Sequence, residues 1–132
     1  SGEVSRALCE IGDGKWLRGL VETHGIRREA DGFAAGTPSR RLEFTTPVSM
    51  NLWGLPAHAI EHLSIQWATF HAKYSDDPVA EFLLPTALDE QLADGRLEIE
   101  VVFTDEQWVG VTNPDDLDTA RTLLAEHRTE GA

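Results

Sequence analysis

The chain has one cysteine, Cys9, in 132 residues. An intrachain disulfide and a cysteine-based zinc site are both excluded, and the flanking Ala7 and Leu8 mark Cys9 as a buried thiol in the core. Lysine is almost as scarce. Lys15 and Lys73 are the only two, and Lys plus Arg number 11 against 23 Asp plus Glu, a formal charge of -12. Such a field repels DNA, RNA and anionic lipid, whose binding needs clustered cations, so nucleic acid is not an expected partner. The excess also suits solubility at high salt. No apolar run approaches the ~18 residues of a membrane span, and the N-terminus lacks the basic-then-apolar pattern of a signal peptide. A cytoplasmic protein with no membrane partner is the expectation. The 41% hydrophobic content is that of a globular chain, and the length suits a single unit over residues 1–132.

What is present reads as a mixture of strands and helices. Residues 6–11 and 16–22 are strand-like runs on either side of Gly12-Asp13-Gly14, a turn signal, and together predict a hairpin. Residues 23–46 are polar, with no sustained period, and read as a long loop or flap interrupted by a short strand near residues 42–44. Both basic pairs, Arg27-Arg28 and Arg40-Arg41, fall in that stretch, where they are candidates for local phosphate contact. Residues 48–55 return to strand character and stop at Pro56, which suits a first helical turn. Ile60, Leu63, Trp67, Phe70 and Tyr74 fall at spacings of three and four and predict a helix over 57–74 that packs by that stripe. A second helix is expected around Leu84, Leu88 and Leu92, with Pro85 as a fresh start and Gly95 at its C-terminal end. Leu97, Ile99, Val101 and Phe103 alternate with more polar neighbours as a strand with one buried face. Asn113, Pro114 and two aspartates signal a last helix, packed through Leu117, Ala120 and Leu124.

His58-Ala-Ile-Glu-His62 matches a zinc-protease pattern in spacing, because histidines four apart share a helix face. Both histidines fall away from the apolar stripe, and a third ligand is missing. They read as surface histidines able to take up metal adventitiously.

Several runs, in order, carry a family resemblance: the Gly-Glu-Val-Ser-Arg-Ala-Leu-Cys opening, the hairpin ending Leu20-Val21-Glu22, Thr46-Pro-Val-Ser-Met-Asn-Leu-Trp-Gly-Leu55, Glu81-Phe-Leu-Leu-Pro-Thr-Ala-Leu-Asp89, and Trp108-Val-Gly-Val-Thr-Asn-Pro-Asp-Asp-Leu117. From residue 2 to about 124 the chain resembles the C-terminal half of a sugar-phosphate nucleotidyltransferase, of the NDP-sugar pyrophosphorylase kind. The resemblance implies an α/β fold, a mixed sheet with flanking helices that is the C-terminal portion of a Rossmann-type domain. It also implies a reaction, in which a sugar-phosphate oxygen attacks the α-phosphorus of a nucleoside triphosphate, pyrophosphate leaves, and Mg2+ neutralises phosphate charge. The Gly-rich loop followed by Arg and Lys that holds the triphosphate in such enzymes does not occur in this sequence. The nucleotide-binding N-terminal half is thus expected to be absent from the chain, which would not catalyse the reaction alone. Sugar phosphate, nucleoside triphosphate and Mg2+ are implied for the complete enzyme only. Self-association, or pairing with the other half, would cover the faces left open.

By the same resemblance Glu22 falls where a hairpin glutamate accepts hydrogen bonds from sugar hydroxyls. Thr23 replaces a frequent lysine for the sugar phosphate, and Arg27 or Arg28 is the substitute. Ser49 and Asn51 take sugar-side positions, on one strand face if the strand is regular. Gly110 stands where one alignment puts a metal-binding aspartate. A second alignment, counted back from Leu117, gives Thr112 as metal-facing and Asn113 as the helix cap, either able to offer Mg2+ a neutral oxygen. The departures at Thr23 and Gly110 also admit a non-catalytic binding or regulatory module that kept the fold and lost the chemistry.

Overall fold

Period-two patterning on either side of a glycine turn produces the opening hairpin. Strand β1, Val4–Ile11, pairs antiparallel with β2, Leu17–Glu29, with Cys9 opposite Leu20 and Ala7 opposite Glu22; Gly14 takes the positive φ of 70° that the turn needs. The structure, a computed structural model, describes residues 3–30, 32–105, 109–111, 114 and 116–130. Thr112 and Asn113, the expected metal-facing pair, lie outside the described residues, as does Trp108. Two compact units are present, Ser1–Val102 and Phe103–Ala132.

The expected flap is a β-meander. β2 runs on to Glu29, and β3, Gly32–Ala35, and β4, Arg40–Leu42, extend the sheet in the order β1-β2-β3-β4. Arg27, Arg28, Arg40 and Arg41 therefore stand on strands and not in a loop. The pattern is hidden by a bulge: Val4 opposes Ile26 but Arg6 opposes Thr23, so two steps on β1 match three on β2. Gly25 sits within that extra step at φ 65°, a conformation glycine adopts without a Cβ clash, and alternation slips by one residue there. Every strand pairing is antiparallel. The architecture is mixed α and β, and among the described residues no parallel βαβ unit occurs.

Two expected strands are reduced to bridges. Val48 pairs with Leu8 on the free side of β1, held by Cys9 N–H to the Pro47 carbonyl at 2.9 Å and Ser49 N–H to the Ala7 carbonyl at 2.8 Å. The chain then leaves the sheet at Asn51, whose φ of 54° is left-handed. Glu100 bridges to Trp16, with Leu17 N–H on the Ile99 carbonyl at 2.8 Å. Leu97 is buried and Ile99 and Val101 are half-buried, as alternation requires, but Phe103 is exposed.

Helix α1, Ala57–Tyr74, begins after Pro56 as expected, yet its inward face is rotated from the apolar stripe. Ala59 is its one buried residue, whereas Ile60 and Trp67 are about half exposed. A polar clamp sets this rotation. The Gln66 amide donates to the Ala87 carbonyl at 2.9 Å and to Glu90 at 2.8 Å, and fully buried Gln91 donates to the Ala59 carbonyl at 3.2 Å and to Gln66 at 2.9 Å. Trp67, Phe70 and Tyr74 instead form a ring cluster with Phe82. Helix α2, Leu84–Ala93, carries Pro85 in its first turn. It ends with Gly95 at φ 67°, Gly95 N–H on the Leu92 carbonyl at 3.0 Å and Arg96 N–H on the Gln91 carbonyl at 2.9 Å, the paired bonds of a Schellman stop. One face of the hairpin, through Ala7, Leu17 and Leu20, builds the main core with Ala59, Leu88 and Leu97. Complete burial of Leu88 contributes roughly 1.5–3 kcal/mol. The opposite face, through Leu8 and Ile26, forms a smaller cluster with Ala35.

In the second unit α3, Asp116–Glu130, opens with Asp116 and Asp118 at the positive end of its dipole. Of its expected stripe Ala120 is buried, while Leu117 and Leu124 are exposed. No helix among the described residues is long and apolar enough to cross a membrane.

Candidate functional site

Register brings Glu22 and Ser49 into one cross-strand row. Ala7 opposes Glu22 on β2, and the antiparallel bridge of Leu8 to Val48 puts Ser49 opposite Ala7 on the other side. Residues directly opposite in a sheet share a face, so Glu22, Ala7 and Ser49 all project to the face that carries the main core. Two strand spacings separate the outer pair, about 10 Å of backbone. Ala7 is itself a core residue, and Trp53 packs against the cluster that holds it. Glu22 and Ser49, both half-buried, thus flank the rim of an apolar wall.

Ser49 and Asn51 do not lie together on a regular strand as their spacing suggested. The Ser49 hydroxyl accepts the Asn51 N–H at 3.0 Å, which turns the chain, and the Asn51 side-chain carbonyl accepts the Trp53 indole N–H at 3.4 Å. This leaves the Ser49 O–H and the Asn51 amide N–H groups as donors on the far side of Ala7 from the Glu22 carboxylate, an acceptor.

The bulge decides which arginine joins them. Without it, residues five apart on a strand face opposite ways; the extra residue at Gly25 returns Arg27 to the Glu22 face and puts Arg28 on the other, in a row with Phe33 and Leu42. Arg27 shares its row with Ala34 and Arg41. Its guanidinium pairs with Glu29 at 3.1 Å and donates to the Gly25 and Gly36 carbonyls at 3.3 and 3.4 Å, bracing the meander. Those contacts use three of the five N–H donors of an arginine, leaving two for a ligand. Thr23 is buried on the opposite face, its hydroxyl donating to the Val21 carbonyl at 3.0 Å.

Three participants are not singled out by the sequence. His24, at the bulge, has its Nδ1 2.9 Å from the Ser5 hydroxyl, extending the polar strip beyond Glu22. Trp53 supplies the wall. The signal for His24 was the glycine after it, since a lone glycine in a strand pattern marks a bulge. Asp89 of α2 approaches the hairpin from its outer edge and accepts the Leu20 N–H at 2.7 Å, a positioning contact behind the Glu22 row. Cys9 is half-buried against the main core and not the buried core thiol expected, and this partial burial pushes its thiol up from its ordinary range. His58, exposed, and His62, half-buried, are not joined by a third ligand: among the described residues no three of His, Cys, Asp and Glu gather into a metal site.

Neither a protein-family model nor a curated protein matches the chain.

Proposed function

We propose that the chain is the sugar-phosphate-binding half of a nucleotidyltransferase that joins a nucleoside triphosphate and a sugar phosphate into an NDP-sugar and pyrophosphate. It acts with a nucleotide-binding half carried by another stretch of polypeptide, the two completing a Rossmann-type domain. The observation that carries this reading is the row of Glu22, Ala7 and Ser49 beside Trp53. A sugar offers vicinal hydroxyls that donate as well as accept, and an apolar ring face. Glu22 accepts, Ser49 and Asn51 donate, and Trp53 offers its aromatic surface. Arg27, on the same face, is the cation closest in role to a phosphate contact. Val48, Met50 and the 93% exposed Leu52 leave an apolar margin beside β1 for the other half to cover.

Mg2+ belongs to the complete enzyme, where it would neutralise phosphate charge. The described residues present no converging carboxylates for it, and Thr112 and Asn113 lie outside them, so the work assigned to this chain is binding and orienting the sugar phosphate. Calorimetric titration of hexose 1-phosphates, with and without Mg2+, tests the reading. Saturable binding weakened about tenfold by Glu22→Gln is expected, the loss of one or more charge-assisted hydrogen bonds. Equal heats for wild type and Glu22→Gln across the panel would sink it.

One observation favours a second reading, a binding module without chemistry. Thr23 is buried with its hydroxyl satisfied, so the position that would carry a phosphate-binding lysine has become structural. Binding of sugar phosphate that persists without turnover when the other half is supplied would select this reading.

A further inference from the structure

At the opposite end of the hairpin from the bulge, a cleft of about 590 Å³ opens between the start of β2, the first turn of α1 and the turn after α2. Its size is that of a small-molecule site. Its lining runs against the character of the chain: with 11 cationic side chains to 23 acidic ones, this cleft gathers Arg18, Arg96 and His58 around Trp16, with Glu98 the one carboxylate in its lining.

These groups are open to solvent, and His58 is oriented by a hydrogen bond. Trp16 is 48% exposed. Arg18 lies across Gly12, where any Cβ would overlap its side chain, so glycine there makes the room for it. Among the described residues Arg18 has no ion-pair partner. Arg96 meets Asp94 through Nε at a long 3.8 Å, which leaves its terminal nitrogens for a ligand. His58 is oriented by a 3.2 Å hydrogen bond between Nε2 and the Arg96 carbonyl. The adjoining turn of α1 adds to the same field, because its first turn carries no acidic residue and Pro56 offers no side-chain cap.

We propose that this cleft binds a small anion carrying a planar ring, of the nucleoside monophosphate class, with the ring stacked on Trp16 and the phosphate between Arg18 and Arg96. An indole face stacks on any base, and guanidinium groups match phosphate oxygens in a bidentate way, so the two features together select a ligand having both parts. The site shares no residue with the Glu22 row and stands or falls apart from it.

The test is a titration of the chain with AMP, and separately with adenosine and with inorganic phosphate, followed through the Trp16 indole resonance, assigned by its loss in Trp16→Leu. AMP is expected to bind saturably and more tightly than either fragment. Arg18→Ala, Arg96→Ala and Trp16→Leu should each weaken it by about tenfold, while Glu22→Gln leaves it unchanged. All three positions are solvent-facing, and an unchanged thermal midpoint confirms that each variant folds. AMP binding no tighter than phosphate, or affinity indifferent to both arginine variants, would overturn the proposal.

Discussion

Asn51 is the residue at which conformation and candidate chemistry meet. Its φ of 54° places a non-glycine residue in the left-handed region, where an ordinary side chain costs roughly 1–2 kcal/mol and asparagine less. Asn51→Gly and Asn51→Ala both delete the contact with the Trp53 indole, so the difference between them isolates the backbone. The alanine variant is expected to unfold about 1 kcal/mol more easily than the glycine variant in denaturant melts. Equal midpoints would show that residue 51 is free to leave that conformation. Cys9 gives a second residue-scale test. Burial raises its thiol above the ordinary range, so at neutral pH the thiolate is scarcer than in the unfolded chain and alkylation should be slow until denaturant is added. The linked stability has a definite sign: a raised folded value confers stability that is full below the unfolded pKa and is lost as pH rises through the folded one. Alkylation as fast in the native chain as in denaturant would contradict the burial.

Among elements, α2 meets the hairpin through the apolar packing of Leu88 and through one carboxylate. Asp89 satisfies the Leu20 N–H on the edge of β2 where no strand pairs, at 2.7 Å. Removing it leaves a buried donor unmet, and Asp89→Ala is expected to cost about 1–3 kcal/mol in thermal or denaturant unfolding. A loss below a few tenths of a kcal/mol would mean that water replaces it. Helices were the elements most legible in the sequence, because Pro56, Pro85 and Gly95 mark ends by local chemistry alone. The α1 face differs from its apolar stripe because the Gln66 and Gln91 clamp is tertiary: neither glutamine is apolar, yet they fix the rotation that leaves Ile60 and Trp67 outside. The meander leaves no sustained period-two pattern in the sequence because Gly25 shifts the alternation by one residue. That shift decides that Arg27, and not Arg28, faces the same way as Glu22. For the site, Glu22 and Ser49 were legible as types, while their shared row depends on cross-strand register, which no local pattern encodes.

At the scale of the whole molecule, a charge of -12 opposes an apolar margin that includes Val48, Met50 and Leu52. Self-association through that margin is expected to be weak at low salt and to strengthen as salt screens the repulsion, measurable as a rising sedimentation coefficient. A monomer at every salt and protein concentration would remove the apolar margin as a docking surface. The other surface is the row across β1, where a sugar phosphate is proposed to bind between Glu22 and Ser49. Its most direct measurement is an NMR titration with hexose 1-phosphates, glucose 1-phosphate first. The expected result is saturable shifts at the Ala7 methyl, the Ser49 amide and the Trp53 indole, lost in Glu22→Gln, with the Trp16 indole unmoved. Shifts confined to Trp16 and its cleft, or no shifts at the Ala7 row with any hexose 1-phosphate, would contradict it.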